Sequence, residues 1–244
     1  MIIAYVLEEN VAVRLLKTKL RDAPDTPVEK AASDIRGRRE SYWDGYYAKA
    51  SSAPVVPSQF AAFIAGEFPD ADLIVDIGCG NGRDSFFFAD LGYSVIGIDA
   101  SASAIQRCRQ QNKAAKFINT SIDAAMHESV LNQSRLEHAN VLAYSRFFLH
   151  AIDHVEEGQF WDFAKHLCAH PGDILALEFR NEDDSLRLKE TGLHYRRYPN
   201  HDEVVARAQQ RGFVLRYEAQ GRGFAKYKND DAVVSRLIFE NDPH

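Results

Sequence analysis

The stretch Leu73-Ile74-Val75-Asp76-Ile77-Gly78-Cys79-Gly80-Asn81-Gly82-Arg83-Asp84-Ser85 decides how the rest of the chain is read. β-Prone apolar residues lead into alternating glycines, and Phe86, Phe87, Phe88, Ala89 and Leu91 follow at helical density. The pattern predicts a strand, a tight turn and a helix. Glycines at such a turn reach positive φ and let a ligand lie directly against the main chain. The first amides of the following helix then face that ligand. A second strand, Ser94-Val95-Ile96-Gly97-Ile98, ends in Asp99. That is roughly 20 residues on, where a nucleoside-binding βαβ unit places an acidic side chain to accept both hydroxyls of a ribose.

Other glycine-rich turns have different requirements. A dinucleotide site wants Gly-x-Gly-x-x-Gly, and a phosphate loop wants Gly-Lys-Ser/Thr; here the spacing is Gly-x-Gly-x-Gly and no lysine is present. Asp76-x-Gly78-x-Gly80-x-Gly82 with Asp99 downstream resembles the cofactor site of class I S-adenosylmethionine-dependent methyltransferases. The longer run Gly78-Cys79-Gly80-Asn81-Gly82-Arg83-Asp84 is similar to a subgroup acting on small molecules and sugars. The resemblance covers residues 40 to 240. It implies an α/β, Rossmann-like, seven-stranded and mostly parallel sheet, with helices on both faces and the last strand antiparallel. It also implies S-adenosyl-L-methionine as cofactor and S-adenosyl-L-homocysteine as product. Carried onto this chain, its cofactor contacts fall on Asp76, Gly78, Cys79, Gly80, Asn81, Gly82, Arg83, Asp99, Ala100, Ser101, Ser121, Ile122, Ser145 and Tyr47. The alternative is an ordinary strand–turn–helix whose glycines serve packing.

The 244 residues suit one α/β domain with an appendage, and 45% hydrophobic residues support a sizeable core. A net charge of −6 argues against nucleic acid as the main substrate, since phosphate binding draws on an excess of Lys and Arg. Cys79, Cys108 and Cys168 lack metal-ligand spacing and form no disulfide framework, which points to a reducing compartment. No metal site is expected. No apolar run is long enough to span a bilayer. Met1 to Leu7 is followed by Glu8 and Glu9 and lacks a basic start, so no signal peptide is expected and the cytoplasm is the default.

Residues 1–35 read as a helical arm and linker, and 36–244 as the methyltransferase domain. Val6, Val11, Val13, Leu15, Leu16 and Leu20 suit an amphipathic helix that Ala23-Pro24-Asp25-Thr26-Pro27 breaks. The arm fits a tether, a dimerisation helix joining copies of the chain, or the remnant of a larger architecture. Ser41-Tyr42-Trp43-Asp44-Gly45-Tyr46-Tyr47 follows, and similar methyltransferases carry a Trp and Tyr segment here that closes over the cofactor. Aromatic faces stabilise a cation by about 0.5–2 kcal/mol; the competing role is a hydrophobic plug. A helix over Gln59–Phe68 comes next, and Ser101 sits at the cap position of another. Ala114 to Asn119 reads as a third strand ending in Thr120-Ser121-Ile122-Asp123, the corner that embraces adenine in the family; the acidic position there falls on Ser121.

The fourth strand, Ala139 to Tyr144, runs into Ser145-Arg146-Phe147-Phe148-Leu149-His150, at the carboxyl edge where open α/β sheets bind ligands. A helical turn here would put Arg146 and His150 on one face. His150 is a candidate general base or a buried structural histidine, while Phe147 and Phe148 are expected in the core. A helix over Glu156–His170 leads to a fifth strand, Ile174–Leu177, with Glu178 and Arg180 beyond it. Glu178 is the second candidate base, and Arg146 orients or clamps the acceptor. The polar segment Asn181–Asn200 is expected to hold the acceptor. After a helix from His201, Phe213–Ala219 and Ala232–Phe239 read as two antiparallel strands, with Arg222, Lys226 and Tyr227 between them as further acceptor contacts or solvated hairpin residues. The resemblance points to methylation of a sugar or polysaccharide hydroxyl. Another small-molecule oxygen or nitrogen acceptor, or a cofactor-binding protein with an assembly role, are the alternatives.

Overall fold

A computed structural model describes residues 27–49, 56–111, 114–122, 140–185 and 195–242. The chain divides into two compact units, Met1–Arg39 and Glu40–His244. Helix α1 spans Pro27–Ala48. The amphipathic helix expected before it lies outside the described residues.

From Glu40 onward the elements are α2 (Gln59–Glu67), β1 (Leu73–Ile77), α3 (Arg83–Asp90), β2 (Ser94–Asp99), α4 (Ala102–Gln110) and β3 (Lys116–Asn119). They continue with β4 (Val141–Arg146), α5 (His154–Leu167), β5 (Ile174–Arg180), a short 3₁₀ turn (Glu182–Asp184), α6 (His201–Gln209), β6 (Phe213–Gly221) and β7 (Val234–Asn241). One seven-stranded sheet runs β3-β2-β1-β4-β5-β7-β6, parallel except for β7, which is antiparallel to both β5 and β6. This is the expected Rossmann-like α/β order. Its reversal between β1 and β4 opens a crevice at the carboxyl ends of those strands.

Strand periodicity explains the two cores. Residues of odd parity on β1 (Leu73, Val75, Ile77) join Val141, Ala143, Leu175, Leu177, Phe160, Trp161 and Phe163 on one face. Ile74, Leu142, Tyr144, Ala176 and Ile238 pack under Phe60, Ile64 and Phe88 on the other. Each large side chain buried there contributes about 1.5–3 kcal/mol relative to exposure. Side-chain caps fix the helix starts: Ser58 for α2, Ser101 for α4, and an Asp153–Glu156 capping box for α5.

On the second face the chemistry changes along the strands. Towards their carboxyl ends, Ile74 gives way to Asp76, Leu142 and Tyr144 to Arg146, Ala176 to Glu178, and, on the antiparallel neighbour, Ile238 to Arg236. Apolar floor becomes ionic edge.

Two expectations change here. β4 runs two residues further than expected, to Arg146, because the ladder to β5 continues through Arg146↔Glu178 and Phe147 N–H donates to Glu178 O at 2.7 Å. No helical turn begins at Arg146, so Arg146 and His150 do not share a helix face. Phe147, expected in the core, is half-buried and takes φ 59, a left-handed conformation uncommon for a bulky residue. No helix among the described residues is long and apolar enough to cross a membrane.

Candidate functional site

The glycine turn follows β1 with φ of 77 at Gly78, 54 at Gly80 and 74 at Gly82, the last at the N-cap of α3. At Gly80 a Cβ would collide with the Tyr47 hydroxyl, and the positive φ would strain any residue with a side chain. Asp99, at the end of β2, closes the turn from the opposite side. Its Oδ2 accepts Gly80 N–H and its Oδ1 accepts Ser101 N–H, both at 2.8 Å. Burial raises its pKa, and the two amides work against that rise. Each carboxylate oxygen has two lone pairs, so one on each remains for a hydroxyl. A pair of vicinal hydroxyls is the complement of that arrangement, so the residues present fit a nucleoside-bearing cofactor.

Around this cradle the other expected residues fall as follows. Asp76 is buried in β1, where its Oδ2 accepts the Ser85 hydroxyl at 2.6 Å. Burial, then the Asp84 charge, push its pKa up to about 7. Cys79 is buried beneath the turn beside Cys108, and Asn81 is half-buried within it. Ala100 is exposed, its carbonyl accepting Asn119 Nδ2 at 2.9 Å. Ser121 is half-buried after β3, and Ile122 joins the main core. Ser145 donates to Ile77 O at 3.2 Å and ties β4 to β1. Asp123 and His194 lie outside the described residues.

The end of α1 covers the turn. Tyr47 is stacked on Trp43 and met edge-on by Tyr46. Burial of the Tyr47 hydroxyl, then the Asp99 charge, hold its pKa well above the usual phenol range, so it remains a donor. The segment is fastened by Asp44, which sequence reasoning missed. Asp44 Oδ1 accepts Ser101 Oγ at 2.9 Å and Ser103 N–H at 2.8 Å, while Oδ2 accepts Ser103 Oγ at 3.0 Å. A carboxylate at the N-terminus of α4 meets unsatisfied amides and the positive end of the helix dipole. The Ser103 amide accordingly holds the Asp44 pKa down. No local signal marks Asp44, because its partners lie 57 and 59 residues away in sequence.

The second half of the cleft is the ionic edge. Register places Arg146, Glu178 and Arg236 side by side across β4, β5 and β7. Glu178, 1% exposed, accepts Arg146 Nε on Oε1 and Arg236 Nε on Oε2, each at 2.7 Å. Arg236 was not expected in the site. Its signal is a charge on the otherwise apolar stripe Val234, Arg236, Ile238. Arg146 lies 4.0 Å from the Phe147 ring centroid, and Arg180 approaches the same ring at 5.4 Å.

Arg180 is engaged structurally, bridging Asp184 at 2.7 Å and Asp230 at 2.5 Å. His150 is buried; its Nδ1 accepts Arg180 N–H at 3.3 Å and its ring meets Phe147 edge-on. Arg197 stitches the turn carrying His150, donating to Leu149 O and Ile152 O and pairing with Glu157. Arg83 donates to Val56 O at 3.2 Å and lies 3.6 Å from Asp84. Arg222 pairs with Asp231 at 3.3 Å, and Lys226 and Tyr227 are exposed.

Residues 70–156, from just before β1 to the start of α5, match a family model described as a methyltransferase domain. A S-adenosylmethionine-dependent methyltransferase from Anabaena variabilis superposes with a TM-score of 0.62 at 18% identity, covering 90% of this chain and 97% of that one. A structure described for the conversion of a disulfide bond into a thioacetal group during echinomycin biosynthesis gives 0.62 at 15% identity, covering 85% and 93%. The glycopeptide N-methyltransferase MtfA gives 0.53 at 16%, covering 75% and 96%. Among curated proteins none matches by sequence. Residues 70–156 are thus similar to a methyltransferase domain, and the fold around them is that of the class I S-adenosylmethionine-dependent methyltransferases. The cofactor of this class is S-adenosyl-L-methionine.

Proposed function

We propose that the chain methylates an oxygen or nitrogen of a small-molecule acceptor, a sugar hydroxyl being the acceptor that the Gly78–Asp84 run implies. The observation that carries the reading is the Asp99 cradle: two backbone amides orient the carboxylate, and each oxygen keeps a lone pair for a hydroxyl. When bound, S-adenosyl-L-methionine supplies an electrophilic methyl group on a positively charged sulfur.

In this reading Asp99 binds the ribose hydroxyls, Gly78, Gly80 and Gly82 with Asn81 and Arg83 border the cofactor, and Ser121 and Ile122 border the base. The acceptor approaches from the β4–β5 edge. Arg146 orients it, held by Glu178, whose two oxygens are both engaged. His150 is the proposed proton acceptor for a hydroxyl substrate. Its Nδ1 accepts the Arg180 amide, so a neutral imidazole carries its proton on Nε2. Base action at Nε2 requires the other tautomer and loss of that long bond, at about 0.5–1.5 kcal/mol. Alignment and exclusion of water supply most of the rate.

The proposal also takes residues 1–35 as an arm through which copies associate, residues 36–244 as the catalytic domain, and the cytoplasm as its setting, with Cys79, Cys108 and Cys168 unpaired. Transfer of labelled methyl to a panel of sugars and other small acceptors tests the activity. Label on none of them, with S-adenosylhomocysteine binding intact, would favour a cofactor-binding protein without catalysis. Size measurement with and without residues 1–35 tests the arm.

A further inference from the structure

The ionic edge carries more positive than negative charge. Arg83, Arg146 and Arg236 share this corner with Asp84 and Glu178. Asp84 is already committed to Ser58 N–H at 2.7 Å, Ser58 Oγ at 2.8 Å and Tyr144 Oη at 2.9 Å, and its 3.6 Å separation from Arg83 Nε exceeds hydrogen-bond length. Glu178 divides one negative charge between two guanidiniums. Burial, then the charge of Arg146, hold the Arg83 pKa down, so the two cations oppose one another. Asp76 adds only part of a charge near neutral pH.

The geometry of Arg146 says what would relieve this. Glu178 uses Nε alone, and among the described residues neither terminal amino group of Arg146 donates a hydrogen bond. The guanidinium lies on the Phe147 ring, whose unusual backbone conformation holds it there. Arg236 differs: Nη2 is committed to Phe224 O at 2.7 Å, and the side chain is packed among Phe60, Phe63 and Phe224. A planar fork with two unused amino groups, fixed in orientation, is the complement of a planar anion. Arg146 itself offers a single positive charge on a planar fork, which matches a planar carboxylate rather than a tetrahedral phosphate dianion. A sulfonium cofactor brings further positive charge to the same cleft.

We propose that the acceptor carries a carboxylate and that Arg146, positioned by Glu178 and Phe147, receives it and sets acceptor specificity. The inference rests on the methyltransferase reading and deepens it: among sugars it selects acidic ones.

Titration of the full-length chain with S-adenosylhomocysteine comes first and tests the methyltransferase reading by itself. With that ligand saturating, glucuronate is compared with glucose, and 4-hydroxybenzoate with 4-hydroxybenzamide, pairs that differ in one carboxylate. At least one acid should bind about tenfold or more tighter than its neutral partner, and Arg146→Gln should remove the preference. Arg146→Lys keeps the charge without the fork and should retain only part of it; should the Gln variant not fold, the Lys variant carries the test. S-adenosylhomocysteine affinity should stay within about threefold in both variants. The proposal is overturned if no acid binds, if neutral partners or inorganic phosphate bind as tightly, or if the preference survives both substitutions. Parallel loss of S-adenosylhomocysteine affinity also overturns it, since Arg146 would then serve the cofactor.

Discussion

The two halves of the cleft are built by different means. In the proposed site the glycine turn offers backbone amides, a carboxylate they orient, and at Gly80 a positive φ with the Tyr47 hydroxyl where a side chain would go. At the ionic edge they are long side chains from three strands, held by one shared carboxylate. The first half suits a ligand that never varies, because backbone geometry is fixed by the fold. The second is set by the side chains of Arg146, Glu178 and Arg236 standing on a main-chain ladder, so its chemistry depends on which residues occupy those three positions.

That contrast breaks first at Gly80. Gly80→Val places a β-branched side chain at φ 54 against the Tyr47 hydroxyl. S-adenosylhomocysteine binding should become undetectable by calorimetry while the far-UV spectrum stays near wild type. Normal binding by this variant would make the turn purely structural. His150→Ala acts on the other half and should lower single-turnover rates by about 10²–10⁴-fold with cofactor affinity nearly unchanged. If the acceptor's proton passes to His150, the wild-type rate should fall on the acid side of pH 6–9 and that limb should vanish in the variant.

Asp76 lies where the two halves meet. Its pKa of about 7 in the fold stands above the ordinary 3.8, so the folded state holds a proton that the unfolded chain releases above about pH 4. Stability from this group is therefore greatest in acid and declines as pH rises towards 7. Asp76→Asn removes the decline, so unfolding free energy should shift in the variant's favour between pH 5 and 8, by on the order of 2–4 kcal/mol. A variant that tracks wild type at both pH values would show Asp76 to be ionised throughout. The smallest effect belongs to Asp44. Asp44→Ala loosens the cover on the turn and should speed S-adenosylhomocysteine dissociation by about three- to tenfold in stopped flow, the size of a lost helix cap.

The same contrast explains what could be read from the sequence. Gly78, Gly80 and Gly82 lie within a few residues of one another, and Asp99 follows across one βαβ unit, so a local pattern exposes them. The alternation of strand and helix signals places the elements, while the seven-stranded, mostly parallel sheet is expected from the family resemblance that the glycine run carries. Arg236 pairs with Glu178 through strand register across 58 residues, and Asp44 reaches α4 from a separate helix. Arg236 shows only as a charge on the apolar stripe of β7, and nothing local names the partner of either residue. The helical turn considered at Arg146 is absent for a related reason: ladder bonds to β5 extend β4, and nothing in Ser145–His150 itself announces that partner.

The claim on which everything else rests is that Asp99 holds the cofactor. Calorimetric titration of Asp99→Ala with S-adenosylhomocysteine tests it most directly. Loss of a charged acceptor should weaken binding by about 1.5–3 kcal/mol, on the order of 10- to 100-fold, in a protein that still melts cooperatively. A folded Asp99→Ala chain that binds S-adenosylhomocysteine as tightly as wild type would contradict the account.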